Sequence, residues 1–232
     1  MPEPFEDDGL PHGLLRPTST QQVADYIRRQ IFAGRLGVGE RVPQDEIAAK
    51  LGVSRVPVRE AVIALDREGW VMIQPHRGAY VVGLDENSTR DHYELLGRFY
   101  GYGARRAAER ATPEQIATLT ALHRRLQGST DAHEFSQLNL DFMRRLVGVA
   151  ASRRVSATVR LMAVGIVPGD FFAGVPEAVS IHKRHLQLVM KSLEDGDGEG
   201  GERELVAMLR QEADLVVALL ARRGVIGQSG LE

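Results

Sequence analysis

The 232-residue chain contains no cysteine, which excludes disulfide frameworks, thiol catalysis and zinc sites with cysteine ligands. Aromatic residues make up only 6% of it, so the core has to be built mainly from aliphatic side chains. No apolar run approaches the roughly 20 residues that a membrane helix needs, and the opening segment MPEPFEDDGLPHG is not typical of a signal peptide. We therefore expect a cytoplasmic chain that does not enter the membrane.

A strong charge of one sign is also missing, because 29 Lys and Arg are opposed by 31 Asp and Glu, for a net charge of −2. This balance excludes a protein coated in positive charge, but it does not exclude one basic face. The length predicts one large or two small domains. We expect a mobile tail over 1–17, a first domain over 18–83, a linker over 84–87, a second domain over 88–226 and a C-terminal tail over 227–232.

The first domain has the pattern of three helices followed by a small β-hairpin, which is the order of a winged helix-turn-helix. Apolar residues at helical spacing predict helices that begin after a cap at Ser19 or Thr20, at Gln44 and after a cap at Ser54. Two short strands, VMIQ and AYVV, flank the turn 75-PHRG-78. This domain carries nine Lys and Arg against seven Asp and Glu, a net charge of +2.

Two arginines, Arg55 and Arg59, stand one turn apart on the third helix, away from its expected buried stripe. By itself such a pair is more often a solvated helix face. The planar fork of arginine can, however, reach O6 and N7 of a guanine together, and a basic hairpin tip lies beside it in the winged fold. We therefore favour a DNA-reading helix, with a phosphate held near Ser54 and with His76, Arg77 and Gly78 at the tip.

Residues 18–83 resemble the N-terminal domain of the GntR family of bacterial transcription regulators. The matching segments are 27-IRRQIFAGRLGVGERV-42, 47-IAAKLGVSRVPVREAVIALDREGW-70 and 73-IQPHRGAYV-81. The resemblance implies DNA contacts from Ser54, Arg55, Val56, Arg59, His76, Arg77 and Gly78. Val56 replaces the usual threonine, and Asp45 stands where many relatives carry a DNA-contacting arginine, so that contact is not carried over.

After Leu84 the pattern predicts an all-α helical bundle, which makes the fold mainly α. Thr112 is expected to cap one helix, with Pro113 in its first turn and Gln115 as the partner in a capping box. The segment VPGDFFAGVPEA is expected to be a connector, and GDGEGG a flexible loop between the last two helices.

The helical half resembles the FCD effector domain of the FadR-like branch of the GntR family, through 93-YELLGRFYGYGARRAAERATPEQIATL-119 and 138-LNLDFMRRLVGVA-150. That resemblance implies a site for a small carboxylate and a divalent metal. Its metal ligands are normally an Asp and a His four residues apart and two later histidines. This chain has Asn139 and Met143 at the first two places, and we predict no metal and no cofactor.

The arginine that often holds the carboxylate in such domains is also replaced, because Leu96 and Tyr100 occupy the places of the family's Arg and Glu. Without that arginine the pocket suits a less charged ligand with one or two hydrogen-bonding groups. The sequence leaves open whether His182 or His185 faces the pocket. The expected pocket lining is Leu96, Tyr100, Asn139, Met143, His182 and His185.

The sequence therefore predicts a transcription regulator, in this family most often a repressor, that binds a short palindromic operator in double-stranded DNA as a homodimer. A small-molecule effector of unknown identity in the helical domain is expected to change its affinity. One alternative is a DNA-binding regulator with a vestigial effector domain. Another is an enzyme or binding protein built on the helical bundle, but no coherent catalytic set is present and we predict that the chain is not an enzyme.

Overall fold

The computed structural model of the chain describes residues 18–82, 84–149, 153–163 and 170–226. The tails predicted at 1–17 and 227–232 lie outside the described residues. None of the helices within these ranges is long and apolar enough to cross a membrane.

The N-terminal part is the predicted winged helix-turn-helix. Its elements are α1 (Ser19–Phe32), α2 (Gln44–Leu51), α3 (Arg55–Arg67), β1 (Val71–Gln74) and β2 (Gly78–Val81). The two strands pair antiparallel to form the wing, in the register that places Gln74 opposite Gly78. Arg41, which precedes α2, forms an isolated antiparallel bridge with Tyr80, so the chain that enters α2 runs along the wing.

The cap of α1 differs from the prediction, because Thr18 and neither Ser19 nor Thr20 occupies the N-cap position. Gln21 lies three residues after Thr18, and the two residues form a reciprocal capping box. Thr20 is inside the helix, where its hydroxyl donates a hydrogen bond of 2.7 Å to Glu60.

The helix-turn-helix itself follows the sequence pattern. Gly52 ends α2 with φ of +65°, a left-handed conformation that glycine adopts without strain. Ser54 stands at the N-cap of α3, although its side chain makes no capping hydrogen bond to that helix. The predicted buried stripe of α3 is confirmed, and it turns Arg55 and Arg59 toward solvent. Its members are Val58, Ala61, Val62 and Leu65.

The rest of the described chain is helical, as predicted. Its helices are α4 (Glu86–Arg110), α5 (Pro113–Gly128), α6 (Ala132–Val149), α7 (Arg153–Ala163), α8 (Phe171–Gly174), α9 (Pro176–Glu194) and α10 (Gly198–Arg222). The capping box of Thr112 and Gln115 on α5 is confirmed. The predicted connector contains the short helix α8, and α4 begins at Glu86, inside the segment that was predicted to be a linker.

The prediction of a flexible loop at GDGEGG was wrong, because α10 already begins at Gly198 with Asp197 as its cap. These glycines allow α10 to lie against α4. A Cβ at Gly198 would lie 3.0 Å from the backbone oxygen of Arg105, and one at Gly201 would lie 3.3 Å from Cβ of Ala104. The glycine-rich composition therefore reflects close helix packing at this place, not a loop.

Candidate nucleic-acid interface and the centre of the helical domain

The structure brings several predicted contact residues to one cleft between α2, α3 and the wing. The cleft has a volume of about 580 Å³. Arg55 and Arg59 contribute from α3, Gly78 from the wing, and Arg41 from the segment before α2. Three guanidinium groups thus line a concave surface at the N-terminus of α3, the end of the recognition helix that enters the major groove in winged helix-turn-helix proteins.

One of these arginines is paired in the free protein. The Nε of Arg55 lies 2.9 Å from Oδ1 of Asp45, and both side chains are 70% exposed. Asp45 lies in the first turn of α2, so this ion pair joins the two helices of the helix-turn-helix. Sequence reasoning set Asp45 aside as a missing contact and did not predict that it would bind Arg55.

The wing tip exposes the side chains of His76 and Arg77. His76 has a φ of +62°, which only a tight turn usually imposes on a residue other than glycine. Gly78 has a φ of +110°, and a Cβ there would lie 2.7 Å from Nε of Arg41. The positive φ favours glycine at this position, and the guanidinium of Arg41 occupies the space beside it. The isolated bridge of Arg41 to Tyr80 holds this segment against the wing.

Two further predicted residues lie on the exposed start of α3. Ser54 is exposed, and Val56 is 63% exposed, an unusual environment for a valine at the start of a helix. An apolar side chain on this surface can contact the C5-methyl group of a thymine, which valine does as well as threonine. Relative to the usual threonine, Val56 thus keeps one methyl group and carries a second methyl in place of the hydroxyl.

The centre of the helical domain is a buried hydrogen-bonded group on three helices. Nε2 of His182 on α9 lies 3.0 Å from Oε2 of Glu212 on α10, and its Nδ1 lies 3.2 Å from Oδ1 of Asn139 on α6. The side chains of His182 and Glu212 are only 3% and 4% exposed. Both facing oxygens are hydrogen-bond acceptors, and the roles of the two ring nitrogens depend on the tautomer of His182.

Glu212 was not predicted, because the family resemblance implied two later histidines and no later carboxylate at this site. The sequence nevertheless contains a signal for Glu212, because this residue falls on the apolar stripe of α10, together with Leu209, Ala213 and Val216. A carboxylate on a buried stripe needs a polar partner, and the search for that partner leads to His182.

Two tyrosines of α4 extend this centre. Burial, together with the negative charge of Glu212, raises the pKa of Tyr93 well above its ordinary value. The same two causes raise the pKa of Tyr100 to about 12, against the opposing effect of Arg144. The hydroxyl of Tyr93 is buried and has no hydrogen-bond partner among the described residues.

The remaining predicted pocket residues are buried, and one of them belongs to a second hydrogen-bonded group. Leu96 and Met143 are buried on α4 and α6. His185 is directed elsewhere, because its Nδ1 lies 2.7 Å from Oε2 of Glu204 and its Nε2 lies 3.0 Å from the amide of Gln211. Of the two histidines, His182 is therefore the one that contacts Asn139.

These residues do not fit the metal site that the FCD resemblance implies. Asn139 and Met143 stand in place of an Asp and a His, and a thioether is a poor ligand for a hard or borderline divalent ion. Within the described ranges, no group of three or more His, Cys, Asp or Glu side chains is arranged to hold a metal.

The two domains meet at the end of α10. The guanidinium of Arg223 donates a hydrogen bond of 3.2 Å to the backbone oxygen of Phe32 at the end of α1, and one of 2.8 Å to Asp170. Asp170 directly precedes α8, whose Phe172 lies with its ring 5.0 Å from that of His182. Contacts thus run from the buried centre, through α8 and Arg223, to the DNA-binding domain.

A winged helix with exposed arginines on its recognition helix is typical of proteins that bind double-stranded DNA. The sequence profile for "Bacterial regulatory proteins, gntR family" matches residues 19–81, and that for the FCD domain matches residues 91–211. The chain belongs to the GntR family of transcription regulators, in the group that carries an FCD domain, and this is a family of regulators and not of enzymes.

Named relatives agree with this assignment. The chain is 36% identical over 139 residues to an HTH-type transcriptional regulator of Mycobacterium tuberculosis, over 60% of this chain but only 57% of that protein. It is 33% identical to the Nta operon transcriptional regulator of Aminobacter aminovorans, over 65% of this chain and 72% of the relative. It is 27% identical to the HTH-type transcriptional repressor RspR of Escherichia coli, over 87% of this chain and 91% of the relative.

Solved structures share the fold at lower identity. McbR/YncC of E. coli superimposes with a TM-score of 0.62 at 21% identity, over 86% of this chain and 97% of that one. A GntR family member from Pseudomonas syringae gives a TM-score of 0.53 at 22% identity, over 88% and 86% of the two chains.

Proposed function

We propose that this chain binds a short palindromic operator as a homodimer in the cytoplasm and represses transcription there. The observation that carries the proposal is the cleft that Arg41, Arg55 and Arg59 share with the wing. Two copies related by a twofold axis would present two such clefts to two half-sites, which is how paired helix-turn-helix domains read palindromes. Repression is supported by the names of two relatives, RspR and a probable D-xylose utilization operon repressor.

The exposed residues of this surface suit distinct parts of a duplex. Arg55 and Arg59 suit guanine edges in the major groove, and Val56 suits a thymine methyl group. Ser54, beside the N-terminus of α3, suits a phosphate, because backbone N–H groups and the helix dipole favour an anion there. His76 and Arg77 at the wing tip suit the adjacent minor groove.

Selection of bound duplexes from a random DNA pool, at physiological salt, tests this proposal. We expect a short palindrome with conserved guanines in each half-site. Salt has to be fixed, since the contribution of phosphate contacts falls steeply as salt rises. Weak, salt-sensitive binding with no enriched sequence would contradict the proposal of a specific operator.

We propose further that the centre around His182 and Glu212 belongs to an effector site whose ligand is neutral or cationic. A carboxylate ligand would meet the negative charge of Glu212 in a buried environment, where like charges repel strongly. The buried hydroxyl of Tyr93, which has no hydrogen-bond partner in the part of the chain that the structure describes, supplies a hydrogen-bonding group for such a ligand. The contact of Arg223 with Phe32 supports a route by which a ligand could change the pose of the DNA-binding domain and hence its affinity.

A thermal-shift experiment tests the effector proposal. Neutral polyols and small amines are the expected stabilisers, with a melting temperature that rises with ligand concentration. Citrate and other small carboxylates, and Zn²⁺, Ni²⁺ or Mn²⁺ alone, are expected to give no such rise. Stoichiometric metal in the purified protein would contradict the proposal, and a library without any stabilising compound would favour the vestigial effector domain.

A further inference from the structure

The ion pair between Asp45 and Arg55 lies inside the proposed DNA interface and joins its two helices. We propose that Asp45 is a specificity-determining residue, which orients the guanidinium of Arg55 toward one base and opposes binding to other sequences. The proposal rests on the proposed function and deepens it, because it assigns a role to a residue of opposite charge within a surface that binds an anion.

The geometry leaves the right part of Arg55 free. Asp45 binds Nε at 2.9 Å, and a guanidinium has five N–H donors, of which four belong to its two terminal nitrogens. The terminal pair can therefore still donate two parallel hydrogen bonds to O6 and N7 of a guanine. A guanidinium held on one side has fewer orientations to lose when it binds a base, which favours the base that fits this one orientation.

The position of Asp45 is itself held by the fold. It lies in the first turn of α2, where the helix dipole favours a negative charge. Pro43 precedes this helix, and Gly52 ends it with a tight turn into α3, so the distance between Asp45 and Arg55 is set by the helix-turn-helix. The two groups are ten residues apart and meet because of the fold, not because of helical spacing.

The negative charge has a second consequence. A carboxylate in the cleft opposes phosphates, and sequence-independent binding comes mainly from phosphates. Because of this repulsion, removal of the Asp45 carboxylate should raise the affinity for unrelated DNA, while the loss of the ion pair lowers the preference for the correct base. Arg41 and Arg59 line the same cleft and remain available to attract phosphates.

The matched control is Glu46, the next residue on α2. It has the same charge and lines the same cleft, but the ion pair of Arg55 is made by Asp45. Glu46→Ala tests the effect of charge alone. Asp45→Asn tests orientation without charge, because the amide oxygen of Asn can still accept a hydrogen bond from Nε of Arg55.

The experiment measures dissociation constants of the full chain for the selected operator, for the same duplex with each alternative base, and for unrelated DNA. Arg55→Ala should reduce the preference at one base position by roughly 5- to 100-fold. Asp45→Ala should reduce it at that same position by about two- to fivefold, the range of an exposed ion pair. In the double variant the loss of Asp45 should add nothing at that base. Glu46→Ala should change the affinity for every duplex by the same factor, so the ratio between bases at that position should stay the same.

Two results would overturn the proposal. One is an Asp45→Ala protein that keeps its preference at the base read by Arg55. The other is an equal loss of preference with Glu46→Ala, which would assign the effect to charge and not to orientation. A wild-type protein without any base preference would instead refute the operator proposal itself. Unchanged melting temperatures of all variants exclude misfolding as a cause.

Discussion

Replacement of Arg59 by alanine should weaken binding to the selected operator by roughly 10- to 100-fold and relax the preference at one base position in each half-site. A bidentate contact from arginine to guanine is worth about 1–3 kcal/mol of discrimination. Arg59 is exposed on α3, lines the cleft and is one turn from Arg55, so it can reach a neighbouring base. The melting temperature of the Arg59→Ala protein should not change, because Arg59 is not part of the buried stripe of α3.

The matched control for this variant is Arg67→Ala. Arg67 is exposed in the last turn of the same helix, two turns further from the cleft. Loss of this charge should leave the base preference intact. Binding isotherms of both variants on the operator and on its single-base variants distinguish the two roles. A loss of affinity by Arg59→Ala that is equal on every duplex would identify a phosphate contact instead.

The winged helix could be predicted closely because its signals are local. Gly52 at a left-handed helix end and the stripe of Val58 to Leu65 fix where α2 ends and which face of α3 is buried. The start of α1 was predicted one or two residues too late, because Ser19 and Thr20 are as good caps as Thr18 by residue type. Thr18 and Ser19 each have a glutamine three residues later, so the residue types alone do not decide between them, and the structure shows the box of Thr18 with Gln21.

The candidate sites were predictable in part. The exposed arginines of α3 follow from the pattern of one helix, but the pairing of Asp45 with Arg55 depends on how two helices cross. In the helical domain, Asn139 and His182 were identified through a family resemblance, whereas their partner Glu212 is a type of residue that the resemblance did not suggest. Glu212 keeps this site polar but gives it a carboxylate, and a resemblance that implies histidines does not indicate such a residue.

The glycines of the helical domain show why the GDGEGG segment was misassigned. Glycine weakens an isolated helix by about 1 kcal/mol relative to alanine, so a glycine-rich stretch is typical of a loop. In this protein Gly101 of α4 and Gly198 of α10 lie where the two helices pack closely, and a side chain on either would meet backbone atoms. The packing between α4 and α10 outweighs the poor helix propensity of these residues.

Gly101→Ala should therefore destabilise the protein, against the expectation from helix propensity. A Cβ at Gly101 would lie 2.9 Å from Cγ and 3.1 Å from the backbone oxygen of Glu202. A backbone oxygen cannot move away without a shift of α10, and overpacking of this kind costs about 1–3 kcal/mol. We expect a melting temperature that falls by about 2–4 °C for each kcal/mol lost, measured by calorimetry.

The control is Gly148→Ala in α6, where a Cβ would meet no atom of the described residues within 4 Å. Helix propensity predicts a gain of up to about 1 kcal/mol for both variants, so only packing makes their signs differ. If Gly101→Ala were as stable as Gly148→Ala, the close contact of α4 with α10 would be wrong. Opposite signs of the two stability changes would mean that packing against α10 outweighs helix propensity at Gly101, because the same substitution then stabilises α6 and forces α4 and α10 apart.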